Sequence, residues 1–535
     1  MSPASQKQQA NHAQLRRRQG VVLMIVLVVV VMLALAGYTF SKLMLTHHRS
    51  TKLSGHQAQT RSLVDSGVDA VRSYLIQDEE IRQQLGGHFD NPDYFQAASV
   101  LLDPTGLQRG NFTVLSPAVD QDGMLGGVRY GLEDVSSRLN LNALLFADEN
   151  IEGSAREILM ALPGMSEEIA DAILDWIDED EEIREYGVES EYYSTLDPPY
   201  AAKNQPLDTV EELLLVRGVT PQLLFGADAN RNGTIDPHEF SDPMGSEAGI
   251  DAAALAEVEL ERGWAAYLTL FSQERNVNAL GQPRIFLNND NLEELYSQLT
   301  TVFDEEWAIF IVAYRQAGAY DGQESGESGA GQQLDFEQEG KNKLTQVLDL
   351  IGKKVEIKFQ GNEQPTVLQS PFPEDPTALA FYLPTLLDQV STSKELTIPG
   401  RININETSAT VLAGIPGMTE DILASLLERR GVPSEETALN MSFQHETWLL
   451  TEGIVTLEEM KSMIPFVCTG GDVFQAQIVG YYEDEAAASR AEVIFDATTP
   501  LPRVLFWRDI SHLGRGYPLD VLGASLSATF EGLDL

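Results

Sequence analysis

The sequence predicts an α+β protein with a long N-terminal helix, one sheet contributed by both ends of the chain, and a helical domain inserted between its strands. Three observations lead there. An apolar run from Val21 to Phe40 is followed, without a break, by helical periodicity. Alternating apolar segments cluster at 110–135 and again at 466–510. Between them, helix–turn–helix patterns repeat around Pro-Gly turns.

The N-terminal run has the length needed to cross a bilayer, roughly 20 residues. No charge occurs between Arg18 and Lys42. Arg16, Arg17 and Arg18 precede the run, so the positive-inside rule keeps residues 1–20 cytoplasmic and exports the C-terminal side of the chain. A secretory signal peptide would use the small residues Ala34, Leu35 and Ala36 as its cleavage site and leave Gly37 as the new N-terminus. The downstream pattern favours a retained helix instead. Leu63, Val64, Val68, Val71, Leu75 and Ile76 keep the helical period, and no Pro lies between Val21 and Pro92. Apolar and amphipathic parts therefore read as one helix of about 60 residues.

The chain carries 81 acids against 36 bases, a formal charge of −45. Such a body repels nucleic acid and anionic lipid heads and accommodates divalent cations. Cys468 is the single cysteine, which excludes an internal disulfide framework. With 43% hydrophobic residues there is ample material for folded cores, and the length suggests two to four domains.

Strands are expected at Phe112–Leu115 and Val128–Leu132, joined by a turn at Asp122-Gly123. Further strands are expected at Gln475–Tyr482, Arg490–Phe495 and Arg503–Trp507. Residues 317–341 are rich in Gly, Ser, Gln and Glu, have almost nothing to bury, and read as a linker or long loop. Residues 241–395 around it read as an added module of mixed α and β structure.

An internal repeat runs through the helical part. Arg138-Leu139-Asn140-Leu141-Asn142 precedes Leu162-Pro163-Gly164-Met165, and Arg401-Ile402-Asn403-Ile404-Asn405 precedes Ile415-Pro416-Gly417-Met418. Gly164 and Gly417 supply the positive φ that such turns need, and Ser166 and Thr419 stand where they can cap the next helix. A looser copy spans Val216 to Gln222. In helix-hairpin-helix motifs that bind DNA, the turn's N–H groups hold a phosphate. Here Glu167, Glu168, Glu420 and Asp421 come after the turns, where a phosphate would sit, so these repeats read as packing or protein-docking elements with no nucleic-acid role.

Asp228 to Glu239 matches the twelve-residue EF-hand loop. Asp228, Asn230 and Asn232 supply oxygens at positions 1, 3 and 5, and Gly233 makes the sharp turn. Thr234 offers its carbonyl, Asp236 acts at position 9, and Glu239 closes the site as a bidentate ligand. The alternative is a metal-free Asx-rich turn. Pro237, Pro243 and Gly245 disfavour a regular exit helix, so the loop suits a structural calcium ion, not a switch. A second acidic cluster, Asp175, Asp178, Asp180 and Glu189, reads first as a solvated helix end with excess charge. No catalytic constellation stands out: the eight His are scattered, and His445-Glu446 lacks the second His of a zinc-protease helix. The chain is therefore read as no enzyme.

These residues resemble one family, the minor pseudopilin K of type II secretion systems. The resemblance includes Arg138–Asn142, Ile173–Asp180, Gly187-Val188-Glu189, Tyr192 and Tyr193. It continues through Pro199, Tyr200, Lys203, Asn204, Pro206, Glu212 and Leu213 to Val216-Arg217-Gly218. The second Asn-rich block and the closing strands up to Trp507 fit as well, so that it spans roughly 1–240 and 396–510.

The resemblance implies a leader cut after Gly20 by a prepilin peptidase, leaving Val21 first, where pilins more often have Phe or Met. It implies a pilin-like α/β domain (87–137 and 466–510) with an inserted helical domain (138–240 and 396–465). The remaining parts are the leader (1–20), the membrane and amphipathic helix (21–86), the extra module (241–395) and a tail (511–535). It implies calcium in the helical domain, with Asp178, Asp180 and Glu189 as ligands of a second ion. The fifth residue after the cut is Ile25, where most pilins carry Glu to pair with the N-terminal ammonium of a neighbour. Family members similarly lack that Glu and sit at the pseudopilus tip with minor pseudopilins I and J. The implied role is initiation of pseudopilus assembly and protein export, with the body in the periplasm and one pass through the inner membrane. The implied partners are pseudopilins I and J, the major pseudopilin, the prepilin peptidase and the inner-membrane secretion platform. The alternatives are a tip subunit of a type IV pilus or competence pseudopilus, and a membrane-anchored, calcium-stabilised adaptor.

Overall fold

The computed structural model describes residues 4–102, 109–236, 239, 262–361, 364–434, 443–482 and 487–523. It begins with α1 (Ala4–Leu75), 72 residues of continuous helix. The large apolar side chains from Val22 to Leu45 all face outward. Among the described residues α1 is the one helix long and apolar enough to cross a membrane.

The second half of α1 lies on a seven-stranded antiparallel sheet. The first four strands are β1 (Ala98–Leu102), β2 (Arg109–Val119), β3 (Leu125–Tyr130) and β4 (Glu133–Asp134). The last three, from the far end of the chain, are β5 (Val473–Tyr482), β6 (Ala488–Asp496) and β7 (Arg503–Asp509). The main order is β1-β2-β5-β6-β7, with β3 on β2 and β4 on β5. Val64, Val71 and Tyr74 of α1 pack on Val114, Ile478, Val493 and Phe495 of the sheet.

Two glycines set how closely α1 can approach. A Cβ at Gly67 would lie 2.6 Å from Ile478 Cγ2, and one at Gly480 would collide with the Thr60 carbonyl oxygen. Thr60 and Ser489 share a buried hydroxyl hydrogen bond of 2.8 Å at the same contact. The third strand ends earlier than the expected Leu132. Gly131 has φ +152°, and a side chain there would strike the His88 carbonyl oxygen. The chain therefore turns at Gly131 and crosses to β5 through β4.

The insert supplies α2 (Ser154–Met160), α3 (Glu167–Ile177) and α4 (Pro221–Phe225). The region 262–400 adds α5 (Leu292–Val302), α6 (Glu305–Ala317) and α7 (Pro376–Gln389), with short two-stranded pieces between them. The chain then forms α8 (Glu420–Arg430). Buried residues of 138–225, 264–390 and 402–467 join a single hydrophobic core, so the middle region is built into the helical insert. Its centre is α6, where Ala308 to Ala313 are all buried.

Two sequence expectations are corrected. Residues 317–341 lack regular structure but are not an unanchored linker. Leu334 is buried, Gln316 Nε2 donates to the Asp335 carbonyl at 2.8 Å, and Glu327 hydrogen-bonds to Val367 and Gln369. Gly-rich backbone can be held by its own hydrogen bonds where side chains offer little. The second correction is Ser166, which stands at the N-cap of α3 but makes no capping hydrogen bond. Its hydroxyl bonds instead to Glu168, whose carboxyl is held below its usual range by backbone and hydroxyl hydrogen bonds. Thr419 does cap α8, accepting from Ile422 N at 3.3 Å.

Replacing Gly480 by Val should force α1 off the sheet and cost about 1–3 kcal/mol. Gly126→Ala, into open space, should leave stability unchanged. Denaturant titration of a soluble version lacking the apolar half of α1 distinguishes the two; equal effects would contradict the close-approach account.

Candidate metal centres

The α3 helix ends in a turn crowded with acids. Asp171 and Asp175 are fully buried on its inner face. Asp171 is held by Arg156 in a bidentate pair, with both bonds at 2.7 Å. Arg184 comes back over the turn, 3.6 Å from Asp175 Oδ1 and 3.3 Å from Asp178 Oδ2. A Cβ at Gly187 would collide with the Asp175 carboxylate, so only glycine lets the chain pass and place Glu189 beside it.

Asp178 and Glu189 are buried, and they leave polar atoms unpaired. Asp178 Oδ1 and both carboxylate oxygens of Glu189 have no hydrogen-bond partner. Burial, with Asp175 and Asp178 nearby, pushes the Glu189 carboxyl up to about 7. Burial likewise raises Asp175 and Asp178 to about 6 despite Arg184. The excess charge is therefore not at a solvated helix end. Asp180 is different: it is exposed, and its Oδ1 accepts from Glu182 N at 2.7 Å. The structure thus brings Asp178 and Glu189 together with Asp175, and leaves Asp180 at the rim.

The residues around this turn form its support. Trp176, Tyr193 and Tyr200 pack ring on ring, with centroids 5.0 and 5.3 Å apart in successive pairs. Asn204 takes φ +47°, donates from its backbone to the Trp176 carbonyl at 3.0 Å, and reaches the Asp180 carbonyl at 2.6 Å. Lys203 binds Glu212 at 2.8 Å and Asp208 at 2.7 Å.

The Asp228–Glu239 loop is closed on itself. Asp228 accepts from Asn232 N at 3.1 Å and Gly233 N at 2.9 Å. Glu239 accepts from Asn230 N at 3.2 Å and Asp236 N at 3.0 Å, joining the two ends of the loop. Asp236 Oδ2 accepts from Asn230 Nδ2 at 2.6 Å and Asn232 Nδ2 at 3.3 Å. Gly233 has φ +80°, as the turn requires. Asn230 Oδ1 is buried without a partner, and burial raises the Asp228 carboxyl above its ordinary range. Thr234 hydrogen-bonds to Asn232 Oδ1 through its backbone N, at 2.8 Å, and its hydroxyl. Pro237, Pro243 and Gly245 lie outside the described residues.

The outer side of the same loop sits on the sheet. The Asn230 carbonyl accepts from Arg490 on β6, the Arg231 carbonyl from Gln477 on β5 at 2.6 Å, and the Asn232 carbonyl from Tyr517 OH at 3.1 Å. Glu211 of the insert joins Arg231, at 3.0 Å, to Arg508 on β7. A cavity of about 120 Å³ remains behind these contacts, lined by both parts. Nothing in the local sequence of the loop indicates Arg490, Gln477 or Tyr517, which are more than 240 positions away.

The Asn-rich blocks do the same work in each copy. Asn140 Oδ1 accepts from Asn142 N at 3.0 Å, and Asn403 Oδ1 from Asn405 N at 2.9 Å. Asn142 then holds Leu207, and Asn405 the Phe443 and Thr469 carbonyls. Arg138 pairs with buried Glu133 at 2.6 Å, while Arg401 pairs with Glu274 and Glu446. These residues are structural staples, and Glu446 is committed to Arg401. The third copy turns at Gly218, φ +84°, and Thr220 caps α4.

The supported acidic turn lies within a stretch that matches a known family. Residues 137–225, which contain it, match the family described as type II secretion system (T2SS), protein K. Type II secretion system protein K of Aeromonas hydrophila is 44% identical over 57 residues, 10% of this chain and 17% of that relative. The crystal structure of the GspK-GspI-GspJ complex from the enterotoxigenic Escherichia coli type 2 secretion system is also similar. The match has a TM-score of 0.35 and 12% identity, over 87% of this chain and 98% of that one.

Among the described residues, no three His, Cys, Asp or Glu side chains stand together as a metal-holding group. In the loop the carboxylates are turned onto the loop's own amides. The donor set nonetheless fits a hard divalent ion: Asp228, Asp236, Glu239, the Asn230 and Asn232 amides and the Thr234 carbonyl are all oxygen donors. The unpaired Asn230 Oδ1 and Glu189 oxygens are the atoms such ions would satisfy.

The raised carboxyls make a pH prediction. In the native chain Glu189 keeps its proton up to about 7, while in the unfolded chain it loses it near 4.5. The native state therefore binds more protons in that interval, and this contribution is favourable in acid and lost as pH rises through it. In chelator, Glu189→Gln should be more stable than the parent at pH 8, on the order of 2 kcal/mol, and the gap should close toward pH 4.5. A gap that does not vary with pH would contradict the assignment.

Proposed function

We propose that this chain is the minor pseudopilin at the tip of the type II secretion pseudopilus, where it helps initiate assembly and protein export across the outer membrane. The observation that carries this reading is the protein K domain at 137–225, on a chain with one membrane-compatible helix among its described residues. Residues 1–20 are then a cytoplasmic leader, cut between Gly20 and Val21 by a prepilin peptidase. The helix stays in the inner membrane and the body stands in the periplasm. An apolar Ile25, in place of a carboxylate, makes no demand for a neighbour's ammonium in lipid. That suits a subunit with nothing stacked above it. Minor pseudopilins I and J would pack beside α1, over the major pseudopilin and the inner-membrane platform. The family match favours this over a type IV pilus or competence tip.

Deleting the gene should abolish release of folded periplasmic proteins, and the restored chain should yield Val21 on N-terminal sequencing after membrane extraction. Ile25→Glu should not improve assembly. Normal secretion in the deletion strain would sink the role, and Gly37 as the first residue would sink the leader.

Calcium at Asp228–Glu239 is proposed as a structural ion. Asp178 and Glu189, with Asp180 entering from the rim, would hold a second. The first ion would stiffen a loop whose outer side seats the insert on the sheet, and each would supply charge compensation to buried acids. Calcium should raise the melting temperature and protease resistance of the body, and Asp228→Asn with Glu239→Gln should remove most of that gain. No response to chelator in either measurement would refute the structural-ion reading.

A further inference from the structure

The middle region carries a feature that pseudopilus assembly does not use. A cleft of about 590 Å³ opens between the turn Asn278–Gln282, the short strand Ile285–Phe286, the end of α5 and the segment Gln389–Lys394. Its polar lining is chiefly amides, which present donors and acceptors side by side. Gln282 makes no side-chain hydrogen bond among the described residues, and Asn289 uses its Oδ1 for Asn291 N but leaves its Nδ2 unused. Two cations and one exposed acid face the same space; the acid, Asp290, lies 3.9 Å from Arg315 Nη2. Arg284 is steadied through Nε on the Asp388 carbonyl at 3.3 Å, and its outer nitrogens form no ion pair with any described residue. Glu274 and Glu446, whose carboxylates feel its charge, are already taken by Arg401. Lys394 is exposed and likewise unpaired among the described residues.

The surroundings are apolar. Leu280 is 81% exposed on the turn whose two ends line the cleft, and Leu396, 77% exposed, lies two positions after Lys394. Val302 stands open at the end of α5. Leucines this exposed, beside a concave polar floor, mark a surface that another molecule covers.

We propose that this cleft binds an extended acidic peptide segment. Amide side chains match the alternating N–H and C=O of an extended backbone. Exposed leucines and Val302 match its apolar side chains, and Arg284 with Lys394 matches its carboxylates. A glycan fits less well, because Phe286 is the one aromatic ring in the lining and is only half-exposed, leaving no open face for sugar stacking. The charge of the whole chain sharpens the point. At a net charge of −45 the field of the whole chain disfavours acidic peptides, so a preference for them has to arise locally.

The test is fluorescence anisotropy on the full chain in detergent. The probes are a labelled octapeptide alternating Glu and Val, its Lys-for-Glu counterpart, and an acidic tetragalacturonate. The Glu peptide should bind at least tenfold more tightly than the Lys peptide. Arg284→Glu with Lys394→Glu should reverse that preference at an unchanged melting temperature. If the double variant unfolds, Lys394→Glu alone, at an exposed position, should still weaken the Glu peptide at least threefold. Equal binding of both peptides, no effect of Lys394→Glu, or tighter binding of the tetragalacturonate would each overturn the proposal.

Discussion

The seating of the Asp228–Glu239 loop on the sheet is the contact on which the arrangement of this chain depends. Three successive backbone carbonyls, Asn230, Arg231 and Asn232, are taken by Arg490, Gln477 and Tyr517. Buried carbonyls need partners, and these come from two strands and the segment after the last strand, nearly the whole insert away in sequence. The loop's inner side gathers Asp228, Asp236 and Glu239. One short segment therefore has two faces, one seating the insert on the sheet and one concentrating negative charge. Anything that relieves the repulsion inside the loop also steadies the seat outside it.

The acidic turn after α3 obeys the same logic without the sheet. Asp171 has Arg156 as a full partner, whereas Asp175 and Asp178 share Arg184, and Glu189 beside them has both oxygens unpaired. One guanidinium cannot satisfy three buried carboxylates, and the remainder shows as raised carboxyl pKa values and unpaired oxygens. An aromatic wall of Trp176, Tyr193 and Tyr200 keeps the turn rigid. The repeated Arg-x-Asn-x-Asn blocks solve a different problem, the start of each helical hairpin. Their arginines neutralise buried acids and their asparagines tie down loops from distant parts of the chain.

Local patterns were legible in the sequence to the extent that they are local. The continuity of α1 from Val21 to Leu75, the alternation in β2, β5, β6 and β7, and the glycine turns at Gly164 and Gly417 arise from neighbours within a few positions, whereas the helix starts earlier than expected, at Ala4. The cap at Thr419 arises equally, while Ser166 fails because Glu168 competes for its hydroxyl. The premature end of β3 was not legible, since its cause is the His88 carbonyl opposite Gly131.

By itself the sequence determined the α+β class, the membrane-compatible helix, the oxygen-rich loop and the family resemblance, because periodicity, spacing and composition are properties of short windows. Only the tertiary structure decided that the 262–400 region joins the core of the insert and that the Gly-rich segment is pinned beside α6. It also decided that Asp175, not Asp180, shares the buried space of Asp178 and Glu189. Burial and pairing depend on which distant residues arrive at one place, and a linear pattern carries the residues but not the meeting.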